Sequence, residues 1–299
     1  MKKNATALSY LFTPTVLKEM YESKSSNKLI NVFQEFNIQN LLYENTTLKE
    51  LFENAYKQLL KTYRNEYVFK NAIAKKILLG RHSINSSTLF TEFRVETSKA
   101  DVVIFNGTTH VYEIKTELDT VERLENQIVN YKKVFEFVNV VTVESKVKTI
   151  EKIVDEDVGI LVLTDHYTLK TIRKAKSNLS ILDKTSLFNL LRKNEYLKII
   201  KKQFGYIPDV PNTRIYTECL KLFETLSINE IHKIVLQTLK NRVSYKHLVS
   251  NIKQFPDSLK VAILEANLNL EEQKEFLTLL NTKVNNIFSQ RGKYVSSIS

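Results

Sequence analysis

Asp101, Glu113 and Lys115 are the residues whose types and spacing suit chemistry. Asp101 lies in the β-branched run Ala100–Phe105, and Glu113-Ile114-Lys115 closes the run Thr109–Lys115. Side chains alternate across a strand, so Glu113 and Lys115 share a face and Ile114 points to the other. Asn106-Gly107 between the runs is a hairpin signal, because both residues tolerate positive φ. With Asn106-Gly107-Thr108 as the loop, Phe105 pairs with Thr109 and Asp101 falls opposite Glu113, with Cβ atoms about 4.5–5.5 Å apart. A two-residue loop would put Asp101 opposite Tyr112 and disperse the cluster. Two facing carboxylates repel unless a cation sits between them, and Mg²⁺ or Mn²⁺ suits oxygen ligands. Lys115 beside them suits orientation of a metal-bound water, or stabilisation of negative charge at phosphorus. These are the minimal parts for hydrolysing a phosphodiester. Glu-x-Lys alone is uninformative, since it recurs at Glu22–Lys24, Glu144–Lys146 and Glu272–Lys274. A strand edge with solvated charges is the competing reading.

The elements that must position these residues follow from periodicity. Residues 1 to about 62 read as helical, and a further helix is expected from about Glu66 to Leu79, with Gly80 as its C-cap. Strands are expected at Thr88–Val95, Ala100–Phe105 and Thr109–Lys115. A helix from about Thr120 to Phe137 follows, with Asp119 and Glu122 as a capping box. The apolar runs Val138–Val143 and Val158–Leu163 read as buried strands. From about Leu169 onward the helical period returns. The expected class is α/β: a core of helix, three-strand meander, helix and strand over 63–168, flanked by a helical region at 1–62 and a basic helical region at 169–299.

The set Asp101, Glu113 and Lys115 resembles the PD-(D/E)XK nuclease superfamily, the restriction-endonuclease-like fold, whose motif is an Asp, a hairpin gap and (D/E)-x-K. Ala100 stands where that superfamily often has Pro. Glu66 matches an acid often found on the helix before the sheet, and Gln127 with Tyr131 matches a Gln-x-x-x-Tyr helix. The string extending through Asp119, Arg123 and Leu124 is similar to a group of small bacterial and phage-borne members. The resemblance covers roughly 66–165. It implies Mg²⁺ or Mn²⁺ held by Asp101, Glu113, Glu66 and the carbonyl of Ile114, with Asp101, Glu113, Lys115 and Gln127 catalytic. It also implies nucleic acid as substrate, DNA ahead of RNA, in phage defence, mobile elements or repair. Glu92, alternating with Phe93 in the neighbouring strand, is a further acid expected near the cluster.

Composition agrees with an anionic partner. The 299 residues carry 44 Lys+Arg against 33 Asp+Glu, a formal charge of +11. Ten basic residues against two acids lie between Lys170 and Lys202. Lys170, Arg173, Lys174, Lys176, Arg192 and Lys193 are the expected phosphate contacts there, with Arg123 and Tyr131 on the motif helix. Phe188 and Tyr196 are expected to add base stacking. A helix-turn-helix around Ile228–Ser250 is a weaker expectation. The five histidines show no ligand spacing and read as surface or loop residues. No glycine-rich phosphate loop supports ATP use. A single cysteine excludes an internal disulfide, no apolar run is long enough to cross a membrane, and the amino terminus is too polar for a secretory signal, so a cytoplasmic location is expected. A non-cleaving nucleic-acid-binding or scaffold protein on the same fold, with helical ends that dock partners, is the alternative.

Overall fold

The computed structural model describes residues 2–23, 27–36, 46–81 and 84–285. In chain order the helices before the sheet are α1 (Lys2–Tyr10), α2 (Pro14–Ser23), α3 (Asn27–Phe36), α4 (Leu48–Thr62), α5 (Glu66–Ile73) and, after a π-helical turn at Ala74–Leu78, α6 (Leu79–Arg81). The sheet region holds β1 (Thr88–Val95), β2 (Ser98–Phe105), β3 (Thr109–Lys115), α7 (Leu124–Lys132), β4 (Phe137–Thr142), α8 (Val147–Glu151), β5 (Gly159–Leu163) and β6 (Leu169–Arg173). Helices α9 (Lys184–Asn189), α10 (Lys193–Phe204), α11 (Asn212–Glu224), α12 (Ile228–Lys240), α13 (Lys260–Ala266) and α14 (Leu270–Leu280) follow. The chain is therefore mixed α/β, as composition and periodicity predict.

The chain divides into two compact units. One joins residues 1–81, 165–168 and 245–299; the other comprises 82–164 and 169–244. The expected split at 62 and 168 is thus replaced: both chain ends contribute to one unit, and the expected site helix at Glu66 belongs with the amino-terminal helices.

In the first unit, local signals start the helices. Thr47 accepts from the Glu50 N–H and Glu50 accepts from the Thr47 N–H, a reciprocal cap that begins α4. Asn65 caps α5 through the Val68 N–H. Leu48, Leu51, Phe52, Ala55, Tyr56 and Leu59 recur at helical spacing and all are buried. Gly80 is not a C-cap. The expected helix loosens into π-helical turns at Ala74–Leu78, and Gly80 sits inside α6.

The second unit is built on a six-stranded sheet in order β1-β2-β3-β4-β5-β6. β1, β2 and β3 form an antiparallel meander, β3, β4 and β5 run parallel, and β6 returns antiparallel on the edge. Parallel neighbours need crossovers, which α7 and α8 supply. β5 is buried along its whole length, as the unbroken run Gly159-Ile-Leu-Val-Leu requires of a central strand. Gly159 is obligatory there: a Cβ would lie 2.3 Å from Asn139 Oδ1 and 2.8 Å from the Ala175 nitrogen. Leu124, Ile128 and Tyr131 of α7 pack with Val103, Val111, Val138 and Val140 on one face of the sheet, and α9 to α12 extend that core.

Leu169–Arg173 forms the edge strand rather than the first turns of a helix. Lys170 and Thr171 are exposed while Leu169 and Ile172 are partly buried, and Lys and Arg suit an unpaired edge. α7 is shorter than expected because Asp119 turns back to accept from the Thr116 N–H at 2.7 Å. Arg123, not Asp119, is its N-cap residue, with no side-chain cap hydrogen bond. After α12 the chain runs into turns rather than a second helix, so Ile228–Ser250 is not a helix-turn-helix. No helix among the described residues is long and apolar enough to cross a membrane.

Candidate functional site

The β2/β3 register is the one that the three-residue loop dictates. Phe105 pairs with Thr109 and Val102 with Tyr112. Gly107, at φ 108, supplies the backbone conformation that the turn requires. One step beyond Val102–Tyr112, Asp101 stands opposite Glu113. There the Asp101 side chain takes over from the ladder, its Oδ2 accepting from the Ile114 N–H at 2.6 Å. That bond fixes the Asp101 carboxylate against the strand that carries Glu113 and Lys115.

Glu113 and Lys115 are almost entirely buried, at 1% and 8% exposure. Burying either charge alone would be costly, so each must find partners. Lys115 Nζ donates to Glu113 Oε1 at 2.8 Å and to Gln127 Oε1 at 3.0 Å. The Tyr131 hydroxyl donates to Glu113 Oε2 at 2.8 Å. Gln127 and Tyr131 lie four apart on α7, hence on one helix face turned toward the sheet. Thr142 of β4 donates to the Lys115 carbonyl at 2.7 Å and anchors that end of β3. Burial pushes the Tyr131 phenol far above its usual pKa, and the charges of Glu113 and Asp101 push it further. Tyr131 is therefore a permanent donor to Glu113, and its pKa registers both carboxylates.

The structure thus brings together Asp101, Glu113, Lys115, Gln127 and Tyr131. Glu92 is also close: a carboxylate oxygen of Glu92 and one of Asp101 lie within 4.8 Å. Glu92 faces Asp101 across β1 and β2, between the pairs Thr91–Val102 and Phe93–Ala100. Glu92 adopts φ 54, a left-handed conformation rare for a glutamate. It also forms an ion pair with Lys99.

Glu66, the acid expected on the helix before the sheet, lies in the first turn of α5, where it pairs with Lys70 at 2.6 Å. Other expected site residues are placed differently. Tyr131 is fully buried, so it is a positioning residue for Glu113 and offers no ring to a base. Arg173 is spent on the fold: its guanidinium donates to the carbonyls of Val158 and Asp155 at 2.8 and 2.9 Å. Phe188 and Tyr196 are core residues, their ring centroids 4.9 Å apart, and cannot stack on bases. Arg123, Lys170, Lys174 and Arg192 are exposed. Lys176 is exposed near Glu156, at 3.8 Å, and Lys193 donates to Asn212. His232 is not a surface residue but is buried on α12, with Nε2 3.2 Å from Thr109 Oγ1. His110 lies on β3, stacked on Phe137; His82 lies outside the described residues.

Sequence reasoning did not find Thr142, whose role depends on the β3/β4 register. It also missed the donation by Ile114, because a main-chain group leaves no residue-type signal.

The family described as Bacteriophage P4 protein cII matches residues 59–265. Protein cII of Enterobacteria phage P4 is 29% identical over 174 residues, which is 56% of this chain and 63% of that protein. The match therefore spans less than two thirds of that relative's length. A solved structure, the SPO1766 protein of unknown function from Silicibacter pomeroyi, matches at 12% identity and a TM-score of 0.31 over 45% of this chain and 88% of that one.

Proposed function

The chain belongs to the Bacteriophage P4 protein cII family, and from that premise we propose that its sheet-bearing unit is a metal-dependent nuclease with DNA as substrate. The observation that carries this reading is the convergence of Asp101, Glu113, Lys115 and Gln127 on the end of one hairpin and the helix that follows it. The element order supports it: a meander β1-β2-β3, then α7, then β4 parallel to β3, is the core that the PD-(D/E)XK resemblance implies. A relative encoded by a phage supports a mobile-element setting.

The donor set fits a hard divalent cation. Asp101 and Glu113 supply carboxylate oxygens from adjacent strands, with the Ile114 carbonyl between Glu113 and Lys115 as a further oxygen. No soft ligand belongs to the set. Bound there, Mg²⁺ or Mn²⁺ would supply a more acidic water and offset charge on the phosphoryl oxygens.

The chain's own residues do the rest. The Ile114 N–H orients Asp101. Tyr131 and Lys115 hold the two oxygens of Glu113 in one rotamer. Gln127 takes a second proton of the Lys115 ammonium, so Nζ has a fixed position. A fixed ammonium stabilises negative charge as it develops at phosphorus, without reorganising when the reaction occurs.

The test is cleavage of duplex and single-stranded DNA by the purified full chain with Mg²⁺ or Mn²⁺. Asp101→Asn is expected to lower the rate by at least about 100-fold, with the fold intact by circular dichroism. Cleavage that survives Asp101→Asn and Glu113→Gln would overturn the reading. A second reading, a DNA-binding protein that does not cleave, has one observation in its favour: both oxygens of Glu113 already take protein donors. Calorimetry separates the two, since the second predicts no Mn²⁺ uptake dependent on Asp101.

A further inference from the structure

Helices α10 and α12 enclose a groove of about 710 Å³ in the second unit, lined from Arg192 to Gln203 on one side and from Glu230 to Arg242 on the other. Five of its lining residues are basic and two are acidic. The acids are both engaged by the protein. Glu195 receives Arg242 through Nε at 2.8 Å and Nη2 at 2.6 Å, and it also accepts from the Arg192 N–H. Burial alone would raise its pKa; those hydrogen bonds outweigh burial and lower it. Glu230 is committed to the cap of α12, accepting from the Ser227 hydroxyl and N–H, which lowers its pKa.

The lysines are in the opposite condition. Lys198 and Lys202 lie four apart on the exposed side of α10, and Lys233 is exposed on α12 across the groove. None of the three has an acidic partner within 4.0 Å among the described residues. Exposed ammonium groups without acidic partners on both sides of a groove raise a local positive potential that attracts a polyanion. The lining also includes Gln203, Gln237 and Asn241, whose amide side chains can hydrogen-bond phosphate and sugar oxygens. The lining contains no aromatic residue, so it lacks the stacking platform of a single-strand site.

We infer that this groove binds the sugar–phosphate backbone of duplex DNA, with Lys198, Lys202 and Lys233 on phosphates, independently of base sequence. The choice of DNA as the polyanion rests on the proposed nuclease reading; the geometry of the groove does not. The Arg242–Glu195 pair has a defined part in it. By closing Glu195 onto Arg242, it removes the acid that would otherwise neutralise Lys198, one turn along α10.

The experiment measures fluorescence anisotropy of a labelled random-sequence duplex of about 24 base pairs, titrated with full-length protein in EDTA between about 50 and 200 mM salt. The parent is compared with Lys198→Ala/Lys202→Ala/Lys233→Ala and with Lys148→Ala/Lys152→Ala/Lys253→Ala, a control that removes equal charge from other exposed sites. The groove variant is expected to bind at least about tenfold more weakly, with a log–log salt slope shallower by about 2 to 3, near 0.9 per lost phosphate contact. The control is expected to match the parent. Equal losses in both variants, no loss in the groove variant, or a parent that binds no duplex would each overturn the inference. Failure of the nuclease reading is distinguishable: DNA binding that depends on the three lysines, without any Asp101-dependent cleavage, removes the hydrolase and keeps the groove. Asp101-dependent cleavage with binding indifferent to the lysines does the reverse.

Discussion

The two ends of β3 solve one problem in different ways. At its start, Glu136 is partly buried and is satisfied by neutral groups: Ser177 donates to Oε1 at 3.0 Å, Thr108 donates to Oε2, and the Glu136 N–H donates to Thr109 Oγ1 at 2.8 Å. His232 lies 3.9 Å from its Oε2. Burial lowers the His232 pKa and the Glu136 charge only partly opposes this, so the imidazole is neutral near pH 7. At the end of β3, Glu113 is satisfied by a phenol and by the ammonium of Lys115. A buried carboxylate therefore marks nothing by itself. What distinguishes the second end is an ammonium group held by two acceptors beside a second acid from the neighbouring strand.

The comparison is broken most directly at Lys115. Lys115→Ala removes the countercharge of an almost fully buried carboxylate, and urea unfolding is expected to show a loss of about 3–5 kcal/mol. A loss below about 1 kcal/mol would mean that Glu113 is as content with neutral donors as Glu136. Tyr131→Phe sharpens it. One lone pair of Glu113 loses its donor, at a cost of about 1–3 kcal/mol. That cost should be the same at pH 7 and pH 9, because the phenol pKa is raised and the donor proton stays on throughout. The smallest effect is at His232. Its folded pKa lies below the unfolded value of about 6.5, so the unfolded chain binds the extra proton. The stability of the neutral form is fully present above that value and falls as the pH drops toward the folded pKa. The expected slope is at most about 1.4 kcal/mol per pH unit for one proton, read from thermal or urea unfolding between about pH 7 and 5. His232→Gln should flatten it.

Legibility in the sequence followed the range of the interactions. The hairpin register depended on Asn106-Gly107 and the alternation on either side, so Asp101 opposite Glu113 could be counted from the chain. Gln127 and Tyr131 were visible as a helical pair. That the Tyr131 hydroxyl turns inward to Glu113 was not, because an amphipathic tyrosine satisfies the same periodicity whether it faces core or solvent. β6 was lost for a related reason: five residues bearing Lys and Arg are too short to set a strand period against a helical one. Arg173 shows the limit of charge counting. It contributes to the basic stretch, yet its guanidinium is occupied by two backbone carbonyls. The groove basics that remain unpaired are drawn from α10 and α12, more than thirty positions apart, a distance that no local window spans.

The first unit is assembled from pieces that begin and end the chain. Its helix α4 is stitched to the far end by Leu48 N–H to Thr282 and by the bridge between Thr47 and Lys283. On the ribosome, Thr47 and Leu48 must therefore wait for Thr282 and Lys283, although α1 can already cover Phe52 through Phe12. At about 5–20 residues per second that interval is on the order of 10–50 seconds, long enough for holdase chaperones to act on the nascent polypeptide.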